Sequence, residues 1–196
     1  SIFMTALRRV AWAGWGLAIA CQASDFEPLQ VTGFNEDLVA EGTNTTALAT
    51  PSTRFDGLAS SGLNVFYAQG FHSSIRGQGP RGLPASGAFV SANNTNILYQ
   101  LAPYCEANAL LLRSSQDSGA GGATGGSLSL VGPDSFVTLA ILHTSSMADS
   151  TVGYTLNFSD GTPASSSFVS SDWFSKPFPA LSGFDRVCRT NDVFRE

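Results

Sequence analysis

The 196-residue sequence predicts an all-β fold, an antiparallel β-sandwich. Three observations predict it. Short runs alternate apolar and polar residues. Gly, Pro, Asn, Asp and Ser separate the runs. Beyond the N-terminus, no long stretch carries the period of a helix. Many short strands between turn residues is the pattern of a sandwich or barrel.

The N-terminus stands apart from that pattern. Met4 reads as the start, with residues 1–3 upstream of it. Arg8-Arg9 precedes an uncharged run of eleven residues, 10–20 (VAWAGWGLAIA), which ends in Ala18-Ile19-Ala20. A basic region, an apolar run and a small-residue end compose a secretory signal peptide. Residues 1–23 are therefore assigned to a leader and 24–196 to a single domain. Eleven residues are too few for a bilayer, which takes about 20, so no membrane span is expected. Cleavage after Ala23 removes Cys21. Cleavage before Cys21 would instead leave it as a lipid anchor. Ala18-Ile19-Ala20-Cys21 is faintly similar to a bacterial lipoprotein box, but Ala18 is smaller than the residue such boxes favour. The expected location is secreted, extracellular or periplasmic.

Beyond the leader, about 175 residues suit one domain with its own core. Eight basic side chains stand against fifteen acidic ones there, a formal charge of −7, with one lysine and no basic run. Nucleic-acid binding needs a cationic footprint, so it is excluded as a function, and an anionic membrane surface with it. Cys105 and Cys188 are a disulfide candidate, because an exported chain meets oxidising conditions. Such a bridge would contribute about 4–5 kcal/mol in the chain-entropy model. The alternative is two free thiols that pack as small hydrophobes. His72 and His143 do not sit at zinc-ligand spacing with them.

Nine strands are expected, at 29–34, 37–41, 63–68, 97–101, 109–113, 127–131, 136–142, 152–158 and 167–173. In 127–131, Leu128 and Leu130 face one side. The run 136–142 (FVTLAIL) is continuously apolar, which marks a central strand covered on both faces. Tyr154, Leu156 and Phe158 alternate with Thr155, Asn157 and Ser159 in the next strand. The short polar link 145–150 should pair these two strands antiparallel. Segments 43–51 and 73–86 read as surface loops. The glycine-rich stretch 118–126 (SGAGGATGG) reads as a hairpin loop, since no P-loop lysine follows it.

Chemistry is harder to find. No G-x-S-x-G, H-E-x-x-H or Walker motif is present. His72, between Phe71 and Ser73, has no orienting carboxylate nearby. His143 follows an apolar strand and should cap its end. Glu36-Asp37, Asp160 and Asp172 could supply paired carboxylates for glycoside hydrolysis. Glu36 and Asp37 point to opposite faces of an extended chain, however, and cannot act together. Asp160-Gly161 is first of all a tight turn; its second reading is a calcium or sugar ligand, since sandwich calcium sites use scattered loop oxygens. Asp172-Trp173 closes a Ser-rich strand. Trp173 is either core or a platform on which a sugar ring stacks. Tyr67, Tyr99 and Tyr104 carry the same ambiguity. Asn44, Asn93 and Asn157 open N-x-S/T sequons, which matter only outside bacteria.

Six stretches together carry a resemblance: GFNEDLVAEG (33–42), NVFYAQGF (64–71), YQLAPYCEANALLL (99–112), SLSLVGPDSFVTLAILHTSS (127–146), GYTLNFSDGT (153–162) and SDWF (171–174). In strand order and turn placement the chain resembles secreted bacterial β-sandwich modules of the galactose-binding or jelly-roll kind. The resemblance implies glycan binding or a place in a cell-surface assembly. No binding motif matches position by position. Such modules close with further strands after the segment matching SDWF, whereas 183–196 (GFDRVCRTNDVFRE) is charged, so the sandwich is expected to lack its last strand or strands.

The resulting expectation is a secreted, non-catalytic carbohydrate-binding or cell-surface module. Its ligand residues would be Trp173, Asp172, Asp160 and Tyr104. Its partner would be a glycan or cell-surface component, and it would carry no cofactor beyond an optional structural calcium. One alternative is a structural or adhesive envelope protein that binds other proteins. The other is a secreted hydrolase or lyase acting on polysaccharide, which needs carboxylates or His72 to converge in one cleft.

Overall fold

A computed structural model describes residues 6–9, 26–50, 55–56, 63–114, 123–132, 134–173 and 178–196. The apolar run 10–20, Cys21 and most of the 118–126 loop lie outside the described residues. The elements run in chain order as β1 (Ala6–Arg9), β2 (Phe26–Leu29), β3 (Val31–Thr32), β4 (Val39–Ala40), β5 (Thr43–Asn44), α1 (Thr46–Ala49), β6 (Asn64–Tyr67), β7 (His72–Ser73), β8 (Gly77–Gln78), β9 (Ala88–Val90), β10 (Leu98–Gln100), β11 (Ser129–Leu130), β12 (Ser150–Asn157), β13 (Pro163–Ser170), β14 (Arg186–Cys188) and β15 (Phe194–Arg195). The fold is all-β, as its alternation and turn residues predict. Among the described residues no helix is long and apolar enough to cross a membrane.

The strands form small sheets. A four-stranded sheet has the order β15-β14-β6-β4, and a three-stranded one the order β5-β7-β8. Two-stranded ladders join β1 to β2, β3 to β11, β9 to β10 and β12 to β13. Ala6–Arg9, inside the predicted leader, thus pairs antiparallel with Phe26–Leu29. Most pairs are antiparallel, but β4 with β6 and β5 with β7 are parallel.

β6 organises the core. All four residues of NVFY are buried. Side chains alternate across a strand, so Val65 and Tyr67 enter one apolar cluster and Phe66 the other. The first cluster adds Ala40, Ala49, Phe71 and Val187, with Phe194 packed against it. The second gathers Leu38, Val39, Phe55, Leu83, Phe89, Tyr99 and Leu101 around Phe66. Gly79 lets the first cluster close: a Cβ there would collide with the rings of Tyr67 and Phe194.

Buried polar groups pin the loops to this frame. Asn108 Oδ1 accepts from Leu38 N–H at 3.0 Å, and its Nδ2 donates to Asp37 Oδ1 at 2.8 Å. The carboxylate of Asp192 accepts from Thr46 N–H at 3.1 Å and from Ser73 Oγ at 2.6 Å. Asp185 Oδ1 pairs with Arg81 Nη2 at 3.1 Å. Tyr67 Oη accepts from Arg81 N–H at 3.0 Å, and burial pushes that phenol up to about 12. A buried polar group left unpartnered is costly, so these bonds specify where each loop lies.

Several expectations are corrected. The run 136–142 joins no ladder: Val137 is 80% exposed, while Ala140 and Leu142 rest on the outside of the second cluster. The strand covered on both faces is β6. β12 pairs not with 136–142 but with β13, across 158–162, in the register Ser150 opposite Ser170 to Asn157 opposite Pro163. The charged segment 183–196 supplies β14, which lies inside the four-stranded sheet between β15 and β6. Cys188 is buried in β14 and Cys105 is exposed on a turn; each is a free thiol, so the expected bridge is not formed.

Phe66→Ala should lower unfolding free energy by about 3–5 kcal/mol, whereas Val137→Ser should change it by about 0.5 kcal/mol or less. Urea denaturation of both variants beside the parent checks the ranking; a large loss at Val137 would contradict the placement of 136–142.

Candidate functional site

Three separated parts of the chain enclose a cleft of ≈ 520 Å³. The β9–β10 hairpin supplies one wall. Phe89 and Tyr99 stand opposite each other in its register, with ring centroids 5.4 Å apart. Its loop holds a second wall in place. Asn93 Nδ2 donates to the Phe178 carbonyl at 2.9 Å, and Ala92 N–H donates to the Ala180 carbonyl at 2.8 Å. Ser91 Oγ in turn donates to Asn93 Oδ1 at 2.6 Å, which orients the amide. Segment 178–184 is thereby laid along the cleft with Leu181, Ser182 and Phe184 on its lining.

The third wall joins 141–144 to 171–173. Ser145 N–H donates to Ser171 O, and Trp173 N–H to Ser145 O, both at 2.9 Å. Asp172 is held from its backbone, where its N–H donates to Asp149 Oδ1 at 2.9 Å. His143 stacks on Phe168 with centroids 4.4 Å apart, and its Nδ1 lies 3.1 Å from Ser170 Oγ. Burial holds this imidazole below its usual value, so it is neutral at physiological pH. Ser170 is buried and does not line the cleft, so the contact orients the ring.

Trp173 combines the two roles that its sequence context leaves open. It is half-buried and meets Phe55 and Phe66 edge-on at 6.2 and 5.9 Å. Phe184 lies 6.3 Å away, and the Arg186 guanidinium sits 4.9 Å from the indole centroid. Arg186 is ion-paired with Asp56, which Ser146 Oγ also contacts at 2.9 Å. These contacts fix the indole in the wall, as an anchored cation–π and edge-to-face cluster does. The remaining surface of Trp173 lines the cleft.

Of the four predicted ligand residues, Trp173 and Asp172 line the cleft, and Tyr104 and Asp160 do not. Tyr104 Oη donates to the Pro84 carbonyl at 2.8 Å and its ring packs on the core, with burial pushing the phenol up to about 12. Asp160 is exposed at the tip of the β12–β13 hairpin. Its Oδ1 accepts from Thr162 N–H at 2.9 Å and from Thr162 Oγ1 at 2.7 Å, and the same bonds hold its carboxyl below the usual range. Gly161 follows at φ +84°, a conformation that glycine adopts without strain. Asp160 therefore turns the chain. Among the described residues no three His, Cys, Asp or Glu side chains gather as a metal-holding group. His72 lies exposed on β7, and of Glu36, Asp37, Asp160 and Asp172 only the last lines the cleft.

Sequence reasoning missed Phe89 and the wall at 178–184; it read Asn93 only as a sequon and expected His143 to cap a strand, but 136–142 forms no strand and His143 lines the cleft. The one available signal was the apolar FPALSGF (178–184) inside a Pro/Gly-rich stretch with no strand period. A loop so apolar has to cover something. Comparison with family models, with curated proteins and with solved structures finds no match.

A second polar cluster lies at the edge strand β4. Burial raises the Asp37 carboxyl even though Asn108 and Val39 N–H bond to it. Glu41 is pushed up to about 7 by burial and then by the Asp37 charge, and its Oε2 is buried without a hydrogen-bond partner. In the unfolded chain this carboxyl ionises near 4.5. Between those values the folded protein holds a proton that the unfolded chain has released, so stability falls as pH rises through that window. Glu41→Gln should flatten the fall; urea midpoints at about pH 5 and about pH 8 measure it.

Proposed function

We propose that this chain is a secreted carbohydrate-binding module whose cleft takes a sugar ring. One observation carries the reading: the adjacent residues Asp172 and Trp173 line the same cleft as the Phe89–Tyr99 pair. Sugars have apolar C–H faces and a rim of hydroxyls. Aromatic surface takes the faces, and Asp172, Asn93, Thr144 and Ser182 offer hydrogen-bonding groups for the rim. A volume of ≈ 520 Å³ suits a compact ligand, since small-molecule sites span roughly 300–1,000 Å³. Mostly apolar walls with a few placed polar groups are the usual make-up of such sites. The leader pattern at 1–23 supports export, and the acidic balance of the chain suits a neutral glycan better than a nucleic acid.

A glycan array probed with the full chain, with and without calcium, tests the reading. The parent should retain a defined glycan. Ser182→Trp, which introduces a bulky ring at the exposed wall, should abolish retention while leaving the melting temperature unchanged. Asp172→Ala should weaken it about tenfold or more, the cost of losing a hydrogen bond to a charged group. A well-folded parent that retains no glycan overturns the proposal.

A further inference from the structure

The β12–β13 hairpin is the longest regular element among the described residues, eight residues in each strand. It spans about 27 Å at the usual rise per residue. On β12 exposure alternates: Val152, Tyr154 and Leu156 are half-buried on one face, and Thr151, Gly153, Thr155 and Asn157 are exposed on the other. Tyr154 meets Phe168 across the pair at 5.9 Å. β13 is different. Residues 163–167 and Val169 are all exposed, Val169 by 58%. Among the described residues no backbone group outside the hairpin bonds to either strand, so the outer N–H and C=O groups of β13 form an open edge.

Open edges in natural proteins are blunted by charge, by proline, by bulges or by a covering segment. Neither strand carries a charged residue, and Pro163 stands only at the first position of β13. A two-stranded ribbon is also marginally stable on its own. The chain as a whole bears a formal charge of −5, so two copies carry a net repulsion. The β13 edge adds nothing to it, because an uncharged strand opposes no like charge of its own when it meets itself.

We propose that β13 pairs antiparallel with the β13 of a second copy, about a two-fold axis, to form a continuous four-stranded sheet. An antiparallel strand is self-complementary about such an axis, and with the axis at Ser167 the outer backbone groups of β13 between 164 and 170 gain partners. This dimer would present the two clefts on one assembly, as a multivalent binder of repeated surface ligands requires, but the pairing does not depend on what the cleft holds.

Ser167 is the position to test. It lies mid-strand, exposed, opposite Gly153, and nothing approaches within 4 Å of where a Gly153 side chain would begin. A long side chain at 167 therefore has room in the monomer. Light scattering on the full chain, from about 1 to about 100 µM, should show a dimer fraction that rises with concentration. Ser167→Lys and Ser167→Glu should each melt like the parent yet associate about tenfold or more weakly, since like charges meet across the axis. An equal mixture of the two should recover the dimer, because opposite charges then meet. A parent that stays monomeric over this range, charged variants that associate as the parent does, or a mixture that fails to recover each overturns the proposal. Glycan retention read on the monomeric variants separates its failure from that of the cleft.

Discussion

Burying one four-residue strand on both faces is the constraint from which the rest of the structure follows. Asn64–Tyr67 has apolar clusters on either side, and each cluster recruits distant segments to complete it. On the Val65 and Tyr67 side these are α1, Phe71 and the C-terminal strands. On the Phe66 side they are the β9–β10 hairpin, Trp173 and 178–184. A strand buried this way cannot leave its backbone unpaired. β4 satisfies it on one edge in parallel and β14 on the other in antiparallel.

Polar pins then decide the path of the loops. Asp192 joins α1 and β7 to the C-terminal turn, and Asp185 joins the loop at Arg81 to the approach of β14. Asn108 closes the turn after Tyr104 onto β4. Each is a short polar side chain whose partners lie far off in sequence. These bonds explain how a chain so rich in Gly and Ser holds a specific arrangement with strands of only two to four residues around its core.

The cleft is a consequence of that arrangement. Its walls come from residues within 83–101, 141–144, 171–173 and 178–184, and they meet because each packs on the Phe66 side of the sheet. Trp173 links core and cleft: Phe55, Phe66 and Arg186 hold its inner contacts while it contributes to the lining. The rigidity of the core is thereby passed to the proposed ligand surface, which lowers the entropy cost of ordering a site on loops.

The amino-acid sequence by itself determined what is local. The period of two in Tyr154 and Leu156 made β12 a one-faced strand, although Phe158 falls beyond its end and is exposed, and Asp160-Gly161 made the turn beside it, because alternation and turn chemistry act over a few residues. The apolar character of NVFY likewise marked a strand. Tertiary structure decided what is collective. FVTLAIL (136–142) and NVFY have similar composition, yet only the second is sandwiched between two clusters, since burial depends on what arrives from elsewhere in the chain. The charged look of 183–196 hid β14 for the same reason: Arg186 and Asp185 are matched by Asp56 and Arg81, which lie more than a hundred positions away. Tyr104 and Trp173 looked alike in sequence, and packing alone sent one to a backbone carbonyl and the other to the wall of the cleft.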